Sequence, residues 1–181
     1  MKNKLIALIA ITLVSVAAAV SQSKPGRTKF TSFYSNFTTS CRTWAGEGGT
    51  DGYSLCRGPG GYRIRIYYSA ASVHYNAEIA KDDTSNFPIA MLDIFSNEER
   101  KTRVEWRLAN GKPFAVIMRI PTYAKPVKDF DYYGPVNGHQ LVVKGLKGID
   151  LETSVDAKEP NANVRARQHA DAAYLKTLVK N

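Results

Sequence analysis

Along much of this chain hydrophobic and polar positions alternate with a period of two, the pattern of strands with one buried face. The clearest case runs from Arg103 to Ile120. In its first arm Val104, Trp106 and Leu108 point one way and Arg103, Glu105 and Arg107 the other. Asn110-Gly111 follows, and an Asn-Gly pair between two β-prone runs signals a type I′ hairpin, because that turn needs positive φ at both central residues. The second arm, Phe114 to Ile117, is apolar throughout, as expected for a central strand covered on both faces. A two-residue turn then pairs Trp106 with Ala115 and Val104 with Ile117.

The same pattern predicts further strands. Phe30 to Phe37 is a first strand or an irregular lead-in, and Tyr53 to Arg57 is a short strand after the glycine-rich turn at Gly46 to Gly52. Gly58-Pro59-Gly60-Gly61 turns the chain into Tyr62 to Tyr68, with Tyr62, Ile64, Ile66 and Tyr68 on one face and Arg63, Arg65 and Tyr67 on the other. Ser72 to Ile79 is another strand, Lys81 to Asn86 a polar turn, and Ile89 to Phe95 a strand or helical turn. Pro121 to Gly138 combines three prolines with Tyr123, Phe130, Tyr132 and Tyr133, and loops of that length are usually functional or disordered. His139 to Lys144 and Ile149 to Val155 form a closing strand pair around Gly145 to Gly148.

The period then changes. Asn161 follows Pro160 as a candidate N-cap, and Ala162, Ala166, Ala170, Ala173, Tyr174 and Leu178 recur at helical spacing, predicting a helix over 161–180. Arg165, Arg167 and Lys176 point largely to solvent. The fold class expected is α+β, with six to eight mainly antiparallel strands in a curved sheet or sandwich and the helix packed on it. The expected core comprises Ile64, Ile66, Val104, Trp106, Leu108, Ala115, Ile117, Leu141, Val143, Ala166, Ala170 and Leu178.

Composition adds an address. Met1 to Lys4 is basic, Leu5 to Val20 is an apolar run of about 16 residues, short of the roughly 20 that span a bilayer, and Ala17-Ala18-Ala19 supplies small residues for cleavage. Residues 1–19 therefore read as a secretory signal peptide, 20–29 as a flexible mature N-terminus and 30–181 as one domain. No later stretch is apolar enough to span a membrane. The net charge is +9, or +7 without Lys2 and Lys4, which favours anionic partners. Cys41 and Cys56 in an exported chain predict one disulfide.

Catalytic chemistry is sparse. His74, His139 and His169 have no motif partner, His169 reads as structural, and neither a nucleophile elbow nor a His-Glu-x-x-His helix occurs. The glycine-rich segments lack the Lys-Ser/Thr of a phosphate loop, and Asp129-x-Asp131 lacks the other ligands of a calcium loop, so no cofactor and no metal site is expected. Two features are candidates for binding. Arg63, Arg65, Arg103 and Arg107 lie on the polar faces of two strands and would gather into a patch for carboxylate or phosphate if those strands are neighbours. The aromatic loop contributes Tyr123, Phe130, Tyr132 and Tyr133 as large, low-entropy contact residues.

Three segments, Cys41-Arg-Thr-Trp through Cys56-Arg-Gly-Pro-Gly-Gly-Tyr, Glu105-Trp-Arg with Gly111-Lys-Pro-Phe-Ala, and Asn161-Ala-Asn through Ala170-Asp171, resemble small secreted, periplasmic proteins of Gram-negative bacteria. That resemblance implies a signal peptide, an early cysteine pair and a C-terminal helix, but no activity. In overall form the chain is also similar to periplasmic lysozyme inhibitors, although Ser69-Ala-Ala-Ser72 lacks the glycine of an inhibitor motif. The reading is a periplasmic or secreted, non-enzymatic binding or inhibitory module for an anionic envelope polymer or acidic protein, with nucleic acid not expected. The alternative is a hydrolase of an envelope polymer, using Asp129 or Asp131 in a cleft under the aromatic loop.

Overall fold

The Asn110-Gly111 turn forms with φ of 50° and 80°, the double positive φ that a type I′ hairpin requires. It joins β7 (Arg103–Ala109) to β8 (Lys112–Tyr123). The register differs from the expectation by one residue: Trp106 faces Val116 and Val104 faces Met118. The cause is a bulge, since Leu108 pairs with Pro113 but Arg107 with Ala115, leaving Phe114 as the extra residue. Phe114 and Ala115 consequently both join the cluster beneath the helix, where the Phe114 ring packs at 4.8 Å from Tyr174 and 5.7 Å from Phe30.

The computed structural model describes residues 27–37, 41–44, 52–68, 72–79, 82–93, 103–125 and 134–180. Among these are β1 (Phe30–Asn36), β2 (Cys41–Trp44), β3 (Gly52–Arg57), β4 (Tyr62–Tyr68), β5 (Ser72–Ile79), β6 (Asp82–Asp93), β9 (Val136–Gly145), β10 (Glu152–Asp156) and α1 (Ala162–Lys180). The strands form two five-stranded antiparallel sheets, sheet A in the order β1-β7-β8-β9-β10 and sheet B in the order β2-β3-β4-β5-β6. Ten strands therefore replace the expected six to eight. The α+β class stands, with α1 on sheet A.

Alternation sorts the side chains into three layers. Ile64, Ile66, Val73, Tyr75 and Ala77 of sheet B meet Val104, Trp106, Val116 and Met118 of sheet A in one core. The opposite face of sheet A, with Ile117, Leu141 and Val143, meets Ala162, Ala166 and Ala170 in a second. Alanines four apart let the helix approach the sheet closely. Leu178 does not belong to that core, being 52% exposed, and Leu108 is only partly buried. The helix starts one residue after Asn161, which adopts φ 58° while its carbonyl accepts from Arg165 N–H.

The turn joining β3 to β4 fastens sheet B to this arrangement. A Cβ on Gly58 would lie 2.4 Å from Trp106 Cζ2, so only glycine lets the turn pass over the indole. At the same end of the indole, Trp106 Nε1–H donates to Ser35 Oγ at 2.8 Å, and that hydroxyl donates to the Arg57 carbonyl. Three other expectations change. The polar stretch at Lys81 to Asn86 is no turn, because β6 begins at Asp82 and pairs with Ile79. The loop after Ile120 is shorter than predicted, since β8 runs to Tyr123 and β9 starts at Val136. Glu105 and Arg107 do not face solvent, for α1 covers them.

Cys41 and Cys56 are paired as a disulfide directly across β2 and β3. No helix among the described residues is long and apolar enough to cross a membrane. The predicted signal peptide and most of the predicted flexible N-terminus, residues 1–26, lie outside the described residues.

Candidate functional site

The four arginines singled out by alternation do not form one patch. β4, with Arg63 and Arg65, belongs to sheet B, whereas β7, with Arg103 and Arg107, belongs to sheet A. Arg103 is exposed. Arg107 is 6% exposed and locked beneath the helix: its Nε and Nη2 donate to Asp171 Oδ1 at 3.1 and 2.8 Å, Nη2 donates to Oδ2 at 2.6 Å, and Nη1 donates to Ser32 Oγ at 2.7 Å. Two residues away on the strand, Glu105 accepts from Arg167 Nε at 2.6 Å and from Ser32 Oγ at 2.5 Å. The spacing explains the match. Four helical residues rise about 6 Å and two strand residues about 6.6 Å, so Arg167 and Asp171 fall in step with Glu105 and Arg107. The hydrogen bond to Glu105 is the main cause that raises the Arg167 pKa above its ordinary value. Arg167 therefore faces the sheet rather than bulk water.

The outer face of sheet B is built differently. Its register aligns Tyr53 with Tyr67 and His74, Leu55 with Arg65 and Asn76, and Arg57 with Arg63 and Glu78, in three rows across β3, β4 and β5. The alternate positions (Ser54, Cys56, Ile64, Ile66, Val73, Tyr75) point into the core, which commits these rows to the outside. Glu78 binds both arginines of β4, accepting from Arg63 Nε on Oε1 and from Arg65 Nε on Oε2 at 2.8 Å. The Arg65 guanidinium also lies 5.2 Å from the Tyr53 ring centre and 5.6 Å from that of Tyr67, so it rests against both rings of the pair. Its pKa is raised, chiefly through the hydrogen bond to Glu78 and against the opposing effect of burial, so the group is cationic at every working pH. Arg57 and Arg42 are exposed on the same face, which sets four arginines against Glu78 among the side chains described there.

Part of this face was legible. Alternation through Tyr62 to Tyr68 puts Arg63, Arg65 and Tyr67 together, and the glycine turn sets Arg57 opposite Arg63 and hence Tyr53 opposite Tyr67. Glu78 carried no local signal, because its register depends on how β5 returns against β4.

Of the aromatic loop, Tyr123 is the last residue of β8 and half-buried, while Phe130, Tyr132, Tyr133, Asp129 and Asp131 lie outside the described residues. Near the ends of β8 and β9 that lead into it is a cavity of about 380 Å³, lined among others by Thr122, His139, Ser154, Asp156 and Lys158. His169 is exposed and lines a groove beside the β9–β10 turn with Asp150 and Lys176. Among the described residues no group of three or more His, Cys, Asp and Glu stands within reach of one metal ion. No protein-family model, no curated protein and no solved structure matches this chain.

Proposed function

We propose that this is an exported protein of the bacterial envelope that binds an anionic partner, polymer or acidic protein, without chemistry of its own. The leader of residues 1–19 directs it out of the cytoplasm, and the oxidising compartment there supports the Cys41–Cys56 disulfide. The binding surface is the outer face of sheet B. The observation that carries this reading is Arg65, whose guanidinium rests against both Tyr53 and Tyr67 and is fastened at Nε to Glu78. An arginine ordered before any partner arrives loses little freedom on binding and keeps its planar donor fork for a carboxylate or phosphate. Arg57 and Arg63 on the adjacent row add to the field.

Capture from periplasmic extract and from cell-wall material tests it. The wild-type protein is expected to retain its partner at low salt and release it as salt rises. The Arg57→Ala/Arg65→Ala double variant is expected to lose capture. Equal capture by that variant would remove the face from consideration. The second reading, hydrolysis of an envelope polymer with Asp129 or Asp131 as acid, draws on the cavity lined by His139 and Asp156. Turnover of a wall fragment that disappears in Asp131→Asn would favour it.

A further inference from the structure

Resting on that reading of the outer face, we propose that the partner is a carboxylated polysaccharide of the polyuronate type. It lies flat across sheet B, with sugar rings against Tyr53 and Tyr67 and a carboxylate in the Arg65 fork.

Three observations select this class. First, the site is a plane. Residues within a row are spaced by the strand separation of about 4.8 Å, successive rows lie about 6.6 Å apart along the strands, and the side chains of two such rows, Tyr53–Tyr67–His74 and Leu55–Arg65–Asn76, stand on one sheet face. A flat chain of pyranose rings can cover such rows, whereas a folded acidic protein would need an apolar anchor seated in a pocket to dock tightly. Second, Tyr67 offers an exposed ring, with the half-buried Tyr53 beside it. Tyr67 is 43% exposed, and its ring lies 6.5 Å from that of Tyr53 at 47°, so the two rings stand side by side next to Arg65 instead of stacking face to face. The C–H faces of a sugar pack on such rings, while a polyphosphate or an acidic peptide gains nothing from them. Third, the cation is poised for a planar acid. Nε of Arg65 is taken by Glu78, and its two Nη groups have no protein partner among the described residues. From a side chain 20% exposed they offer the paired donors that match one carboxylate. Asn76 pairs with Arg65 in register and adds an amide donor and acceptor suited to sugar hydroxyls.

Affinity electrophoresis of the full mature chain separates this inference from the reading it rests on. Gels are cast with polygalacturonate, its fully methyl-esterified form, poly-glutamate or inorganic polyphosphate. Retardation is expected with polygalacturonate, and weaker binding by at least about tenfold with each of the others. Tyr67→Ala is expected to weaken polygalacturonate binding about tenfold, and Tyr67→Phe, which keeps the ring, to leave it within about twofold. Both variants must show the wild-type thermal transition, which the exposure of Tyr67 favours. Equal retardation by polygalacturonate and poly-glutamate, or a Tyr67→Ala variant that binds like wild type, overturns the glycan inference but leaves an anion-binding face. Tighter binding to polyphosphate overturns it in favour of a phosphate-bearing ligand. Absence of retardation by every anionic polymer overturns both.

Discussion

Two regions of this molecule use the same chemistry, arginine against carboxylate on a β-sheet face, to opposite ends. Under the helix, Arg107 with Asp171 and Arg167 with Glu105 are matched one to one, share Ser32 and are sealed by α1. On sheet B, Arg63 and Arg65 share the one carboxylate of Glu78, Arg57 stands beside them, and tyrosine rings replace the covering helix. The first cluster is neutral and closed. The second has surplus cation and is open only in having no described element laid over it, since Arg63 and Arg65 are each 20% exposed and Glu78 10%. Balanced, enclosed charge fixes the position of one element on another, and unbalanced charge at a surface is left to find its complement outside the chain.

The largest effect should come from the closed cluster. Asp171→Ala leaves the Arg107 guanidinium buried without its carboxylate, at a cost of about 3 kcal/mol, near the lower end for breaking a buried pair because the Asp171 side chain is 24% exposed. Chemical denaturation would measure it, and capture by the folded protein should be unchanged. In the open cluster, Glu78→Gln should cost less, about 1–2 kcal/mol, and should strengthen retention on anionic material by adding net positive charge. A loss as large as that of Asp171→Ala, with no gain in retention, would erase the distinction between the regions. Arg65→Lys should be the mildest change to stability, about 0.5–1 kcal/mol, because lysine can still pair with Glu78 but loses the guanidinium plane against the two rings. Replacing a stacked fork by a point charge should still weaken capture about two- to fivefold, the equivalent of about 0.5–1 kcal/mol. Unaltered capture in Arg65→Lys would mean that charge alone serves there.

How much of this was legible depended on the range of the forces involved. The alternation of Tyr62 to Tyr68, the Asn110-Gly111 turn and the alanine spacing of α1 are local, and each predicts its element and its buried face. The bulge at Phe114 was not legible, because it answers to a third layer: the ring leaves the strand register to pack with Phe30 and Tyr174. The fate of Arg107 was hidden for the same reason. A polar strand face reads as solvent-facing unless the helix that will cover it, with Asp171 in step, is already placed. The assignment of Arg65 and Arg107 to different sheets was equally remote, since strands of identical pattern carry no mark of which sheet they join.

The pairing of β1 with β7 has a consequence for how the molecule is assembled in time and in history. Asn36 and Arg103 are partners in that ladder, so the chain leaves sheet A at Asn36 and returns beside the same spot after building all of sheet B. Sheet B is an excursion with its two ends held together. The β7–β8–β9–β10 meander needs only short loop closures, whereas seating β1 must wait for ends some seventy residues apart to meet, as Phe33 does with Trp106. The meander should therefore form early and β1 dock late. The same closed ends mean that the loops and outer face of the segment between them can change without disturbing the order of sheet A, whereas its inner face is tied to the core around Trp106.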